Sequence, residues 1–207
     1  MSVSRTLRAA AFGAAAVFLL VLGAALRPLA FPETATPAPV LTATELGFVQ
    51  DMTAHHQQAL ILTERLDPGA DPTVRRLADQ IADTQRMEIG TLLGWTQLAG
   101  AAPTSTQPMA WMTSNHHGTT PATTMPGMAT TADLDALFAA RGAEAETLFL
   151  QLMYRHHAGG VTMARAADAQ LTTGPVKQAA RAMAQSQSQE LGYLGVLLDL
   201  RGALPAP

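Results

Sequence analysis

FVQDMTAHHQQAL, residues 48–60, returns as FLQLMYRHHAGGV, residues 149–161, in a chain of 207 residues that holds only six histidines. Four of the six therefore stand as two matching pairs. At a constant offset of 101, Phe48 aligns with Phe149, Gln50 with Gln151, Met52 with Met153, His55 with His156 and His56 with His157. Further on, Gln85-Arg86-Met87-Glu88 matches Gln187-Ser188-Gln189-Glu190 at an offset of 102, the difference being one residue in a connecting turn. The pattern reads as an internal duplication of one helical hairpin. Two antiparallel hairpins with apolar stripes bury each other most economically as an all-α four-helix bundle, with helices crossing at roughly 20°.

On a helical wheel, Phe48, Met52, His55, Ala59, Leu62 and Leu66 recur at alternating spacings of four and three, the period of a buried stripe. His55 thus occupies a core position, and His156 does the same between Met153, Gly160 and Met163. His56 and His157 lie one step around, at the stripe's edge. In the next helix the inward positions are Val74, Leu77, Ile81, Gln85, Glu88, Leu92 and Trp95, and Glu190 repeats the placement of Glu88. A lone buried carboxylate costs several kcal/mol if it stays ionised and unpaired. Facing helices that bring Glu88 toward His55 and Glu190 toward His156 solve this by a carboxylate to imidazolium pair or by joint ligation of a metal ion. Thioether and imidazole without thiolate favour copper, or silver in its place, over calcium or magnesium. Asp51, four residues before His55, offers a hard ligand in the first copy only, because Leu152 holds the matching position.

The flanking turns have plain signals. Asp67-Pro68-Gly69 stops the first helix, expected from about Thr44 to Leu66, and Asp71-Pro72 opens the second with Asp71 as N-cap. A third helix is expected from about Ala132, with a break at Gly142, to Leu171. Thr172-Thr173-Gly174-Pro175 separates it from a fourth, from Val176 to about Arg201. Between the halves, Met109, Trp111, Met112, His116, His117, Met125 and Met128 stand among Thr, Pro and Gly with no 3.6-residue period. This segment reads as a mobile loop, either an arbitrary linker or a collecting tether for a soft metal.

Composition agrees with helices, since 48% of residues are apolar with few aromatics, and 14% are charged. Arg5 and Arg8 precede an uncharged apolar run, residues 9–26, that ends at Arg27-Pro28. Its length suits a transmembrane anchor with its N-terminus in the cytoplasm, or a cleaved signal peptide. Either reading exports the remainder of the chain. The expected division is a membrane or signal segment over residues 1–30, a Pro/Thr/Ala-rich tether over 31–43 and the duplicated domain over 44–203. Within that domain, the first hairpin takes 44–100, the Met/His loop 101–131 and the second hairpin 132–203. The absence of cysteine excludes disulfides, thiolate zinc sites and iron-sulfur clusters, leaving His, Met and carboxylate to hold any metal. Beyond the N-terminal arginines, ten basic residues face sixteen acidic ones, a balance of about −6 that argues against nucleic acid as a partner.

At these residues the chain resembles the bacterial family known as domain of unknown function 305, which has a ferritin-like helical fold. The resemblance rests on the Phe and Met-x-x-His-His run followed by Gln-x-x-Glu, present twice, and on the Met125-Pro126-Gly127-Met128 loop between the copies. It implies an extracytoplasmic protein, since members are reported to bind copper or silver outside the cytoplasm and to assist metal tolerance. The sequence departs from the family pattern at Leu152, where an acidic residue often stands, and at Gly160, where alanine is usual.

The expectation is an exported, membrane-anchored or secreted protein that binds Cu(I) or Cu(II) without turnover. Its sites would be His55, His56, Met52 and Glu88 with Asp51, and His156, His157, Met153 and Glu190, with the loop Met and His residues as collectors. Its partners would be metal ions, the membrane through the N-terminal helix, and a copper-handling protein or a second copy of the chain. Two alternatives stay open. One is a ferritin-like di-metal oxidase, although such a site normally wants about four carboxylates and a Glu-x-x-His spacing absent from these helices. The other is a structural bundle whose buried His and Glu pairs fix helix register.

Overall fold

A computed structural model of the chain describes residues 3–30, 39–115 and 124–205, and among these every regular element is helical. The chain divides into two compact units, Met1–Pro39 and Val40–Pro207. The first contains α1 (Val3–Ala30), whose described side chains, residues 12–26, are exposed. Among the described residues no helix is long and apolar enough to cross a membrane. The apolar run expected to serve as anchor starts at residue 9, before the first described side chain, so the transmembrane reading finds no support within the described residues.

The second unit is built from two hairpins, α2 (Ala43–Arg65) with α3 (Pro72–Leu98) and α5 (Gly142–Gln170) with α6 (Pro175–Asp199). Local chemistry sets the helix ends. Thr42 and Glu45 form a capping box at the start of α2, each side chain accepting the other residue's backbone N–H, at 3.2 and 2.8 Å. Asp71 accepts the Thr73 N–H at 2.7 Å ahead of Pro72, which satisfies one of the orphan donors of α3. The break expected at Gly142 in the helix from Ala132 is present, since α4 (Thr131–Ala139) ends and α5 begins at Gly142, whose φ of 53° suits a residue without a Cβ.

The hairpins are tied at their turns and fused along their length. Asp67, in the turn of the first hairpin, accepts the Gly142 N–H at 2.8 Å and so caps the start of α5. Glu146 on α5 accepts from the Asp71 N–H at 2.8 Å and from the Arg201 guanidinium at 2.7 Å. Along the length, α2 packs on α3 and α5 on α6, while α2 and α5 face each other and form the seam between halves. Phe48, Met52 and Met163 anchor one core cluster, and Leu62, Ile81, Phe149 and Met153 anchor the other.

The segment expected to be a mobile loop docks instead at both of its described ends. Residues Ala110–Asn115 form a 3₁₀ turn against α2. Met109 and Trp111 are buried there, Trp111 lying edge-on to Phe48 with ring centroids 5.5 Å apart. Gly47 makes the room, since a methyl at that position would stand 2.8 Å from the Trp111 ring. At the other end, residues 125–129 cross α5 as a strap. Gln58 grips it by donating to the Ala129 carbonyl at 2.9 Å and accepting the Ala129 N–H at 2.6 Å. The strap reaches the helix surface because Gly159 has no side chain, and a Cβ there would collide with the Pro126 carbonyl. His116 and His117 lie outside the described residues.

The strap gives a direct test of this packing. Gly159→Ala should destabilise the domain by about 1–3 kcal/mol, as overpacking against rigid backbone does. In a domain of this size that is a fall of about 2–4 °C per kcal/mol in the melting temperature. An unchanged melt by circular dichroism would show that the strap is not seated on α5.

Candidate metal centre

All four paired histidines are completely buried, and they belong to two sets distinguished by what their Nε2 atoms meet. His55 and His156 sit on the seam and stack on each other, ring centroids 3.9 Å apart and planes 33° from parallel. The Nε2 of His55 lies 3.0 Å from the Pro126 carbonyl of the strap, and that of His156 lies 3.0 Å from the His55 carbonyl. A carbonyl only accepts, so both Nε2 atoms carry a proton and donate it. His56 and His157 face their own hairpin partner, with Nε2 donating to Glu88 Oε2 at 2.7 Å and to Glu190 Oε2 at 2.6 Å.

This pairing corrects the expectation that Glu88 would meet His55 and Glu190 would meet His156. A wheel gives the direction of a side chain from its own axis but not which neighbour lies there. The inward direction of His55 and His156 points at the other hairpin. The step around to His56 and His157 points at α3 and α6, where the glutamates are.

Burial keeps the seam histidines neutral. His55 is pushed down to about 3 by desolvation, with the proximity of His56 adding to the effect, and His156 is held well below the ordinary range by desolvation and then by His55. A neutral ring with a proton on Nε2 has a bare lone pair on Nδ1. Among the described residues, the Nδ1 atoms of His55, His56, His156 and His157 are all buried without a hydrogen-bond partner. Each such atom costs about 1–3 kcal/mol unless something fills it, against a total stability of about 5–15 kcal/mol for a domain.

The matched glutamines share this condition. Gln85 and Gln187 are buried, and the Gln85 Oε1 and both amide atoms of Gln187 have no partner. The Gln187 amide lies against Gly160, where a Cβ would meet its oxygen and the amide would have to shift. The departure at Gly160 therefore has a spatial reason. The sequence contained the signal for these groups, a polar residue repeated at an inward position, although it pointed to the glutamate in the same motif.

The remaining expected ligands divide sharply. Met52 and Met153 are fully buried, one helical turn before the histidine pairs. Asp51 is not directed to a metal. It is buried, and its Oδ2 accepts the Met109 N–H at 2.7 Å and the Trp111 Nε1–H at 2.8 Å. Desolvation pushes its carboxyl up, and the two N–H donors oppose the shift. The hard-ligand reading thus gives way to a pin that holds the 3₁₀ turn. Met109 is core, while Met112, Met125 and Met128 are half-buried, so these loop methionines do not form an open tether. Among the described residues no three His, Asp or Glu side chains gather closely enough to hold one ion.

Comparison with known proteins places this chain. Residues 45–198 match the family model described as Domain of unknown function (DUF305), and the chain belongs to that family. A DUF305 protein of Streptomyces coelicolor, inferred to be secreted, is 39% identical with a TM-score of 0.71, the match covering 79% of this chain and 96% of that one. A DUF305 fragment from Deinococcus radiodurans is 30% identical with a TM-score of 0.62, covering 76% and 97%. CopM in its Cu(II)-bound form is 25% identical with a TM-score of 0.54, covering 72% of this chain and 92% of that one. CopM in its Cu(I)-bound form, 23% identical with a TM-score of 0.58, shares the fold. No curated protein matches the chain.

Two outcomes test this geometry. From about pH 6.5, where an unfolded histidine takes up a proton, down to about pH 4.5, where carboxylates begin to contribute, the unfolded chain binds protons that buried His55 and His156 refuse. Stability of the metal-free protein should therefore fall as the pH drops through that window, with a smaller slope in His55→Gln. A urea midpoint constant across the window would show that the rings protonate in place. Separately, Asp51→Ala should release the 3₁₀ turn and shift Trp111 fluorescence to the red in a Trp95→Phe background. An unshifted spectrum would mean that Asp51 does not hold Trp111.

Proposed function

We propose that this protein binds copper ions outside the cytoplasm, in a ferritin-like bundle of two fused hairpins, and buffers or hands them on without chemical turnover. One observation carries the reading. Each of the four histidines donates Nε2–H to a carboxylate or a backbone carbonyl and leaves Nδ1 buried and unpartnered. Metal-ligating histidines are oriented in this way, the outer hydrogen bond fixing the tautomer and raising the basicity of the ligating nitrogen. A bundle that used these residues only for register would leave four buried Nδ1 atoms unpartnered.

The donor set fits copper in its reduced state. Among the described residues no three His, Asp or Glu side chains converge on one ion, and the thioethers of Met52 and Met153, buried one turn before the histidines, offer soft donors. Cu(I) accepts low coordination numbers and soft sulfur. Iron or manganese in a ferritin-like site would want carboxylates, and Glu88 and Glu190 already accept from His56 and His157. The Cu(II)-bound structure of CopM supports copper, in either oxidation state, as the metal for this fold. The Streptomyces coelicolor relative supports an extracytoplasmic setting, reached through the N-terminal segment as a membrane anchor or a cleaved leader.

In this reading His56 with Met52 and His157 with Met153 are the principal ligands of two sites, and Glu88 and Glu190 orient the rings. Competition against a chromophoric Cu(I) chelator measures this directly. His56→Ala and His157→Ala should each lose one bound ion. Glu88→Gln should weaken its site about 10–100-fold, the usual effect of removing an orienting partner. Unchanged stoichiometry in the double variant His56→Ala/His157→Ala would overturn the assignment.

A further inference from the structure

The four histidines present no surface to solvent, so an ion bound at them must be admitted by some path. On the strap side the path is closed, because Pro126 lies on Gly159, its carbonyl takes the His55 proton, and Gln58 clamps Ala129. Elsewhere α3 and α6 flank a groove of about 330 Å³, walled by Leu77, Gln80 and Thr84 from α3 and by Ser186, Gln189, Glu190 and Tyr193 from α6. Glu190 on its wall is the carboxylate that holds His157 at 2.6 Å.

We propose that this groove is the entrance for the metal cation and that Glu190 is the first charged group the ion meets. The proposal rests on the metal-binding reading above and adds a route to it. Three features of the groove point to a cation. The Glu190 side chain is 15% exposed while the ring it holds is fully buried, so the carboxylate is the part of the pair that solvent touches. Among the described residues no Lys, Arg or His lines the groove, and a cleft of one sign with low-dielectric walls concentrates the opposite ion. The other polar walls are hydroxyls and amides, which replace hydration water without holding an ion as a second carboxylate would.

The inner end of the route has its own unpartnered donors. Ser186 Oγ is buried without a partner at the groove wall, and the neighbouring Gln187 has both amide atoms unpartnered against Gly160, one turn beyond His157. In the proposed route these bare polar atoms are where a partly dehydrated ion would exchange water for protein oxygen.

The test separates rate from affinity. The full-length protein is mixed anaerobically with Cu(I) supplied as its acetonitrile complex and quenched at set times with excess chelator, and the same chelator at equilibrium reports affinity. Gln80→Trp and Gln189→Trp, both at exposed positions, should fill the groove and slow loading about tenfold or more, within the range over which a charged cleft alters on-rates. Equilibrium stoichiometry should stay at the wild-type value. Gln185→Trp, on the neighbouring α5–α6 surface, should load at the wild-type rate. Rising ionic strength should slow wild-type loading and leave Glu190→Gln almost unaffected. Wild-type loading rates in both groove variants, or a salt response that survives in Glu190→Gln, would overturn the entrance while leaving metal binding intact. A wild-type protein that retains no copper would overturn both.

Discussion

The stacking of His55 on His156 at the seam is the contact on which the arrangement depends. Two imidazoles 3.9 Å apart in a dry interface are tolerable only if both stay neutral, and desolvation makes them so. Neutrality in turn demands an acceptor for each remaining proton. The His55 carbonyl on α2 serves one ring and the strap's Pro126 carbonyl serves the other. The lone pairs of both seam rings are oriented by meeting those two demands within one closely packed crossing.

Around that crossing, absent side chains position the polar groups as firmly as present ones. Gly159 admits the strap, Gly160 admits the Gln187 amide and Gly47 admits Trp111. In the first copy the residue aligned with Gly159 is Gln58, which grips the strap that Gly159 receives. The two positions have diverged into complementary halves of one contact.

The helices, the Asp71 cap and the inward placement of His55 and His156 were legible in the sequence, because these depend on local chemistry and on a 3.6-residue period. Which glutamate meets which histidine was not, since a wheel holds no information on the rotation of the facing helix. The linker was misread for a related reason. Its burial comes from a socket made by Gly47, Asp51 and Phe48, which is visible only once the helix is folded. Asp51 had looked like a ligand because a carboxylate four residues from a histidine can share an ion with it. The buried N–H groups of Met109 and Trp111 claim that oxygen instead. The apolar N-terminal run posed a different difficulty, as its first residues fall before the described side chains.

The strap also breaks a symmetry. If each hairpin met its copy across a two-fold axis, both stacked rings would address equivalent carbonyls on the opposing helix. Here only His156 does so, while His55 turns to a carbonyl from the segment that joins the copies. Fusion has thereby made two environments from one motif. Under the proposed copper binding, two sites of like chemistry and unlike surroundings would fill in succession and hold the free ion steady over a wider span of supply than two equal sites could.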